Sequence, residues 1–247
     1  MTTISYLKKY INCLIIIIFL SSSVVYSANK KLSSLDFLYR LRHPAGRKTW
    51  SMLAGTMKHR RRGKAVQSVP LYLGILFSSD RTLAQVIVDK RQAYMVGQVY
   101  ATEKSATTVI PHNPQGYKQP ILAEYGIKPE DLTMSFIYWD FIKELPESSM
   151  KTLNCRVFKL IAPDKTETVN IYVSSAYFFP MKVEWFKAKS KKPYRTLQVA
   201  DFTKINDLWL ITRIKFYGPG WRSVINFTKT QAGISEKSIP KELFKKL

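Results

Sequence analysis

The side chains able to do acid–base, nucleophilic or metal chemistry are few and scattered. His43 follows a short helical pattern, His59 sits in a basic run and His112 lies in a proline-rich stretch, so no metal-ligand spacing is present. Asp140 and Glu144, four residues apart, are the one candidate pair of carboxylates for general acid–base work. Lys143 lies beside them, and the spacing reads more simply as the solvated face of a helix. Cys155 falls in the apolar run C-R-V-F-K-L-I, where it reads as a small buried hydrophobe, since a reactive thiol needs an exposed, electropositive niche. There is no G-x-S-x-G, no glycine-rich phosphate loop and no C-x-x-C. Catalytic triads are assembled in space and leave no fixed sequence order, so this lowers the expectation of an enzyme without abolishing it. No catalytic residue, cofactor or metal site is assigned, and a non-enzymatic protein is expected.

What the chain has in abundance is apolar alternation. Val169, Ile171 and Val173 alternate with Asn170 and Tyr172, and Met181, Val183 and Trp185 alternate with Lys182 and Glu184. Side chains on a strand point to opposite faces with period two, so each run reads as a strand with one apolar face. The seven residues 174–180 between them suffice for an antiparallel reversal and are too few for a parallel crossover. The cleanest alternation runs through Val69, Leu71, Leu73, Ile75 and Phe77, with Pro70, Tyr72, Gly74 and Ser78 on the other parity. A curved sheet with an apolar concave face can hold a hydrophobic ligand. Each CH₂ group removed from water contributes about 0.8 kcal/mol, so an acyl chain is held without a polar site. Leu71, Leu73, Ile75, Phe77, Val169, Ile171, Val173, Met181, Val183 and Trp185 are therefore the candidate cavity residues.

The elements that would position them follow in order. Residues 33–42 read as a short helix with Leu35, Leu38 and Leu41 spaced three apart, stopped at His43-Pro44-Ala45-Gly46. Strands are expected at 50–57, 69–77, 83–89 and 93–100. The segment 104–120, with three prolines and no periodicity, reads as a loop. Residues 121–132 suggest a short helix or turn, and the aromatic-rich 134–141 a core plug of undecided type. Six further strands are expected at 155–161, 168–173, 180–186, 194–202, 208–217 and 224–230. Residues 239–244 should close the C-terminus. The fold class is α+β, mainly antiparallel β: a curved sheet or incomplete β-barrel with short helices covering its concave face. Tyr177-Phe178-Phe179 places three aromatics in a reversal, where they either pack under the barrel rim or contact membrane or cargo at its mouth.

Residues 1–27 read as a secretory signal peptide: Lys8 and Lys9, the apolar run 14–20, and small residues before Ala28. The expected organisation is that signal followed by one domain, 28–247, outside the cytoplasm in the periplasm. Setting the signal aside leaves 37 basic and 17 acidic residues, a net charge of +20. Such a field attracts anionic surfaces, and export makes an anionic membrane surface or acidic protein a better partner than nucleic acid. The basic run 58–64 is read as a solvated hairpin tip, since no stacking aromatics interleave it.

The segments P-L-Y-L-G-I-L-F (70–77), D-R-T-L-A-Q-V-I-V-D (80–89), E-D-L-T-M-S-F-I-Y-W-D-F (130–141) and L-N-C-R-V-F-K-L (153–160), with F-P-M-K-V-E-W-F (179–186) and D-L-W-L-I-T-R-I-K-F (207–216), resemble the outer-membrane lipoprotein-sorting proteins of the LolA-like superfamily. The resemblance covers most of the chain after the signal. It implies an incomplete β-barrel closed by short helices that carries lipoprotein acyl chains, or other lipid, across the periplasm. Its implied partners are an inner-membrane extraction complex and an outer-membrane acceptor. It brings no catalytic residues. The other reading of the same fold is an envelope module that senses lipid or a protein partner.

Overall fold

The computed structural model describes residues 31–43, 48–100, 105–112, 121–205, 208–234 and 236–246. The expected signal segment 1–27 lies outside the described residues. Helix α1 (Ser34–Arg42) precedes strands β1 (Thr49–Arg61), β2 (Gln67–Phe77), β3 (Arg81–Val88), β4 (Gln92–Val99) and β5 (Ala106–His112). Short helices α2 (Ile121–Glu124) and α3 (Pro129–Leu132) and a 3-10 turn (Ser135–Tyr138) lead into a second run of strands. These are β6 (Asp140–Met150), β7 (Leu153–Ile161), β8 (Glu167–Ser174), β9 (Phe179–Lys187), β10 (Arg195–Ile205), β11 (Leu208–Gly218) and β12 (Trp221–Ile234).

Among the described residues, the twelve strands form one open antiparallel sheet in the order β5-β4-β3-β2-β1-β12-β11-β10-β9-β8-β7-β6. Two meanders, β1–β5 and β6–β12, join through the long pairing of β1 with β12. The sheet is a curved, incomplete barrel, as the alternation predicts. Its topology dictates its cover: the chain leaves the sheet at edge strand β5 and re-enters at the opposite edge, β6. The connection must cross the sheet, and α2, α3 and the 3-10 turn do so over the concave face. Leu122 and Ile127 are fully buried there, and Phe136 meets Trp185 edge to face at 5.3 Å.

Helix α1 packs on the same face further along. Phe37, Leu38 and Leu41 are buried, and Phe37 stacks on Phe158 at 5.4 Å and on Phe178 at 4.6 Å. Leu35, expected on the apolar stripe, points to solvent. On the convex face the C-terminal segment covers part of the first meander. The Tyr72 hydroxyl donates to the Leu243 carbonyl at 2.8 Å, and the Gln85 amide bonds both main-chain groups of Lys245.

Three expectations are corrected. Residues 106–112 are strand β5, not part of a loop. Nearly all of this edge strand is exposed, so it carries no hydrophobic period, although Thr107, Thr108, Val109 and Ile110 are good strand formers. Asp140 and Glu144 lie on strand β6, not on a helix face. The basic run is only partly a hairpin tip: Lys58, His59, Arg60 and Arg61 belong to β1, and the turn begins at Arg62.

Candidate functional site

Between the sheet and its cover lies an apolar cavity of about 240 Å³. Leu53 of β1 and Leu73, Ile75 and Phe77 of β2 form one wall. Leu41 of α1 and Leu132, Met134, Ile137 and Tyr138 of the cover form the roof, and Leu210, Ile211, Ile214 and Phe227 the facing wall. Phe178, Phe179 and Trp209 complete it at the rim. On the other side of the cover a more polar cavity of about 500 Å³ is lined by Glu130, Asp131, Asp164, Glu167, Trp139, Trp185 and Arg195. Tyr138 borders both, so the segment around it divides the interior of the barrel.

The cover is held by discrete polar contacts. Asp131 of α3 accepts two hydrogen bonds from Arg195 on the sheet floor, at 2.6 and 3.0 Å, with both residues buried. The guanidinium lies over the Trp185 ring at 4.1 Å. Burial alone would lower the Arg195 pKa, but the Asp131 carboxylate beside it outweighs that and raises it. Arg42 at the end of α1 donates to the carbonyls of Ile137 and Trp139, at 2.8 and 2.6 Å, and the Tyr138 hydroxyl donates back to the Arg42 carbonyl. Burial pushes the Tyr138 phenol far above its ordinary range, so it stays a hydrogen-bond donor.

A third anchor holds α2. Ser223 donates to the Tyr125 carbonyl at 2.6 Å, so its oxygen accepts from Nδ1–H of His59 at 2.8 Å. Nε2 of His59 accepts from Arg61 at 3.2 Å, which fixes a neutral imidazole. Burial and then Arg61 lower the His59 pKa, consistent with that state. Gly126 ends this helical turn at φ +72°, and a Cβ there would lie 2.4 Å from the Trp221 ring.

Of the carboxylates and cysteine found in the sequence, Asp140 is exposed, while Glu144 and Cys155 have structural surroundings. Glu144 is bonded by Arg156 through two nitrogens, at 2.8 and 2.6 Å, and also accepts from Ser34 of α1. Cys155 is buried, which pushes its thiol pKa up. Among the described residues, no three His, Cys, Asp or Glu side chains are grouped to hold a metal ion.

Of the ten candidate cavity residues, the structure brings Leu73, Ile75 and Phe77 together on the apolar cavity. Leu71 is buried deeper on the same strand face and does not line it. Val169, Ile171, Val173 and Val183 are fully buried and line neither the apolar nor the polar cavity. Trp185 borders the polar cavity, and Met181 lies under a small rim pocket with Tyr177, Phe202 and Trp209. Alternation identifies a buried face and does not distinguish packed core from open volume. The cavity residues it did not single out include Leu53, Ile211, Ile214 and Phe227 of the sheet and Ile137 of the cover.

Solved structures share this arrangement. A DUF1329 family protein from Desulfovibrio piger aligns with a TM-score of 0.64 at 14% identity, covering 85% of this chain and 94% of that one. A putative outer membrane lipoprotein-sorting protein domain from Vibrio parahaemolyticus aligns at 0.57 and 14% identity over 84% and 94% of the two chains. A LolA superfamily protein from Nitrosomonas europaea aligns at 0.54 and 15% identity over 87% and 98%. The fold is LolA-like. No protein-family model and no curated protein matches the sequence, so the kinship is one of architecture. In this LolA-like half-barrel, the apolar cavity lies between the cover and strands β1, β2, β11 and β12.

Proposed function

We propose that the protein is a non-enzymatic carrier of the cell envelope, acting in the periplasm, that shelters the acyl chains of a lipoprotein or another lipid. The observation that carries this reading is the apolar cavity between sheet and cover, within a fold shared with a lipoprotein-sorting domain. At about 240 Å³ the cavity is below the range of roughly 300–1,000 Å³ usual for ligand sites. A long acyl chain is admitted by displacing the cover, whose polar anchors can exchange for water while its apolar underside meets the ligand. Each buried CH₂ contributes about 0.8 kcal/mol toward that displacement. Delivery would run from an inner-membrane extraction complex to an outer-membrane acceptor, as in carriers of this type.

The experiment is lipid extraction from protein purified out of its host, with uptake of a fluorescent fatty acid in solution. Bound acyl chains and saturable uptake are expected. Ile211→Arg, which puts a charge on the facing wall, should abolish uptake while the protein stays folded. A protein free of acyl chains that also takes up no fatty acid overturns the reading.

A further inference from the structure

Strand β10 pairs with β9 only at residues 195–198, and β11 pairs with β12 only at residues 213–218. Beyond those positions, among the described residues, β10 and β11 pair only with each other, from Phe202↔Ile211 to Ile205↔Leu208. This makes a two-stranded ribbon projecting from the sheet, bent by register shifts on either side of Asp201. A ribbon without flanking strands has little stability of its own, and natural sequences seldom decorate one with exposed large apolar groups. Here Trp209 and Phe202 are 48% and 38% exposed, and Tyr177 of the β8–β9 turn is 52% exposed. The three rings touch, with Tyr177–Trp209 centroids at 6.0 Å and Phe202–Trp209 at 5.3 Å. Trp209 also lines the apolar cavity, as do Leu210 and Ile211 of the same ribbon. The aromatic patch is therefore continuous with the cavity wall.

We propose that this ribbon and Tyr177 form a membrane-docking arm, which seats the cavity mouth on an anionic lipid bilayer. Two features select a bilayer over a protein groove. Trp and Tyr carry an apolar body and a polar tip, which suits the headgroup boundary. The net charge, +20 with the expected signal set aside, draws the chain to anionic headgroups, and Lys204 stands directly across the ribbon from Trp209. An acyl chain could then pass between bilayer and cavity along Trp209 without crossing water. The purpose of the arm rests on the carrier reading, but its detection does not.

The test is co-sedimentation of the purified protein with vesicles of phosphatidylethanolamine and phosphatidylglycerol, and with phosphatidylcholine vesicles as the neutral control. Binding is expected to the anionic vesicles, weakened by salt. Joint replacement Tyr177→Ser and Phe202→Ser, at exposed positions that do not line the apolar cavity, should weaken it by about tenfold or more. Fatty-acid uptake in solution should remain. A second readout covers a variant that folds poorly: lipid-borne bromine should quench the wild-type tryptophan emission, and Trp209→Phe should remove most of that quenching. The proposal is overturned if the wild type does not bind vesicles, if binding ignores the double replacement, or if quenching survives Trp209→Phe. It is equally overturned if the patch instead holds two copies together or captures a protein while vesicles are ignored. Vesicle binding that follows the patch, with no fatty-acid uptake, would retain the arm and defeat the carrier reading.

Discussion

Replacing Asp131 with Asn tests how the cover is held. The substitution keeps the shape and one acceptor oxygen but removes the charge facing Arg195. Arg195 and Asp131 are 5% and 2% exposed, so the guanidinium left behind is largely removed from water, with the Trp185 ring, the Gly126 carbonyl at 3.4 Å and the nearby Glu167 carboxylate as weaker compensation. Breaking a buried ion pair on one side costs about 3–5 kcal/mol, a large part of an ordinary domain's stability. With a urea slope of roughly 2 kcal/mol per molar, the unfolding midpoint should fall by about 1.5–2.5 M. The pair is incompletely compensated, because Nε of Arg195 has no hydrogen-bond partner among the described residues. Replacing both members, Asp131→Leu with Arg195→Met, should therefore recover most of the loss. The assay is urea unfolding followed by circular dichroism, with fatty-acid uptake rates measured in parallel. Uptake should quicken in Asp131→Asn, since α3 roofs the cavity through Leu132. A midpoint unchanged by the single substitution, or a double variant as unstable as the single one, would refute the reasoning.

Acidification should loosen the α2 anchor. The His59 pKa is lowered by burial and by Arg61, so the folded protein binds fewer protons there than the unfolded chain. Its contribution to stability is present above the unfolded value of about 6.5 and is lost as pH falls through the folded value. The melting temperature should drop over that window, and His59→Asn should flatten the drop; equal slopes would count against the anchor. At the C-terminus, burial and then Glu242 push the Tyr72 phenol up to about 12. Ending the chain at Lys241 should return it toward 10, read as the difference between phenolate titrations with and without Tyr72→Phe. Gly126→Ala should destabilise by more than about 1 kcal/mol, from the left-handed backbone together with the Trp221 clash. A melt within error of wild type would show that the turn and the ring adjust freely.

Most of the sheet was legible, and the strands that were not have a common place in it. Hydrophobic alternation records burial of one face, so it marks β2, β8 and β9, whose inner side chains are buried. The two strands it failed to mark, β5 and β6, are the two edges of the sheet and are largely exposed. Pro146 adds a break within β6, next to a register shift, and an edge strand tolerates proline's missing N–H. The sequence left two readings open for the aromatics of the β8–β9 turn, and the first holds for Phe178. Phe178 stacks beneath the rim on Phe37, while Tyr177 faces outward against Trp209.

The order of amino acids by itself determined the element types, the antiparallel class and the apolar face, because these depend on local period and on turn residues. It also raised the LolA-like resemblance that the solved structures bear out at the level of fold. Only the tertiary structure decided which buried residues pack solidly and which line open volume. That depends on how far a cover arriving from the opposite edge stands off the sheet. The pairing of Asp131 with Arg195, and of His59 with Ser223, was likewise decided there, since each joins residues from distant parts of the chain. No local pattern encodes such distances, because the sheet fixes them only when β1 closes on β12.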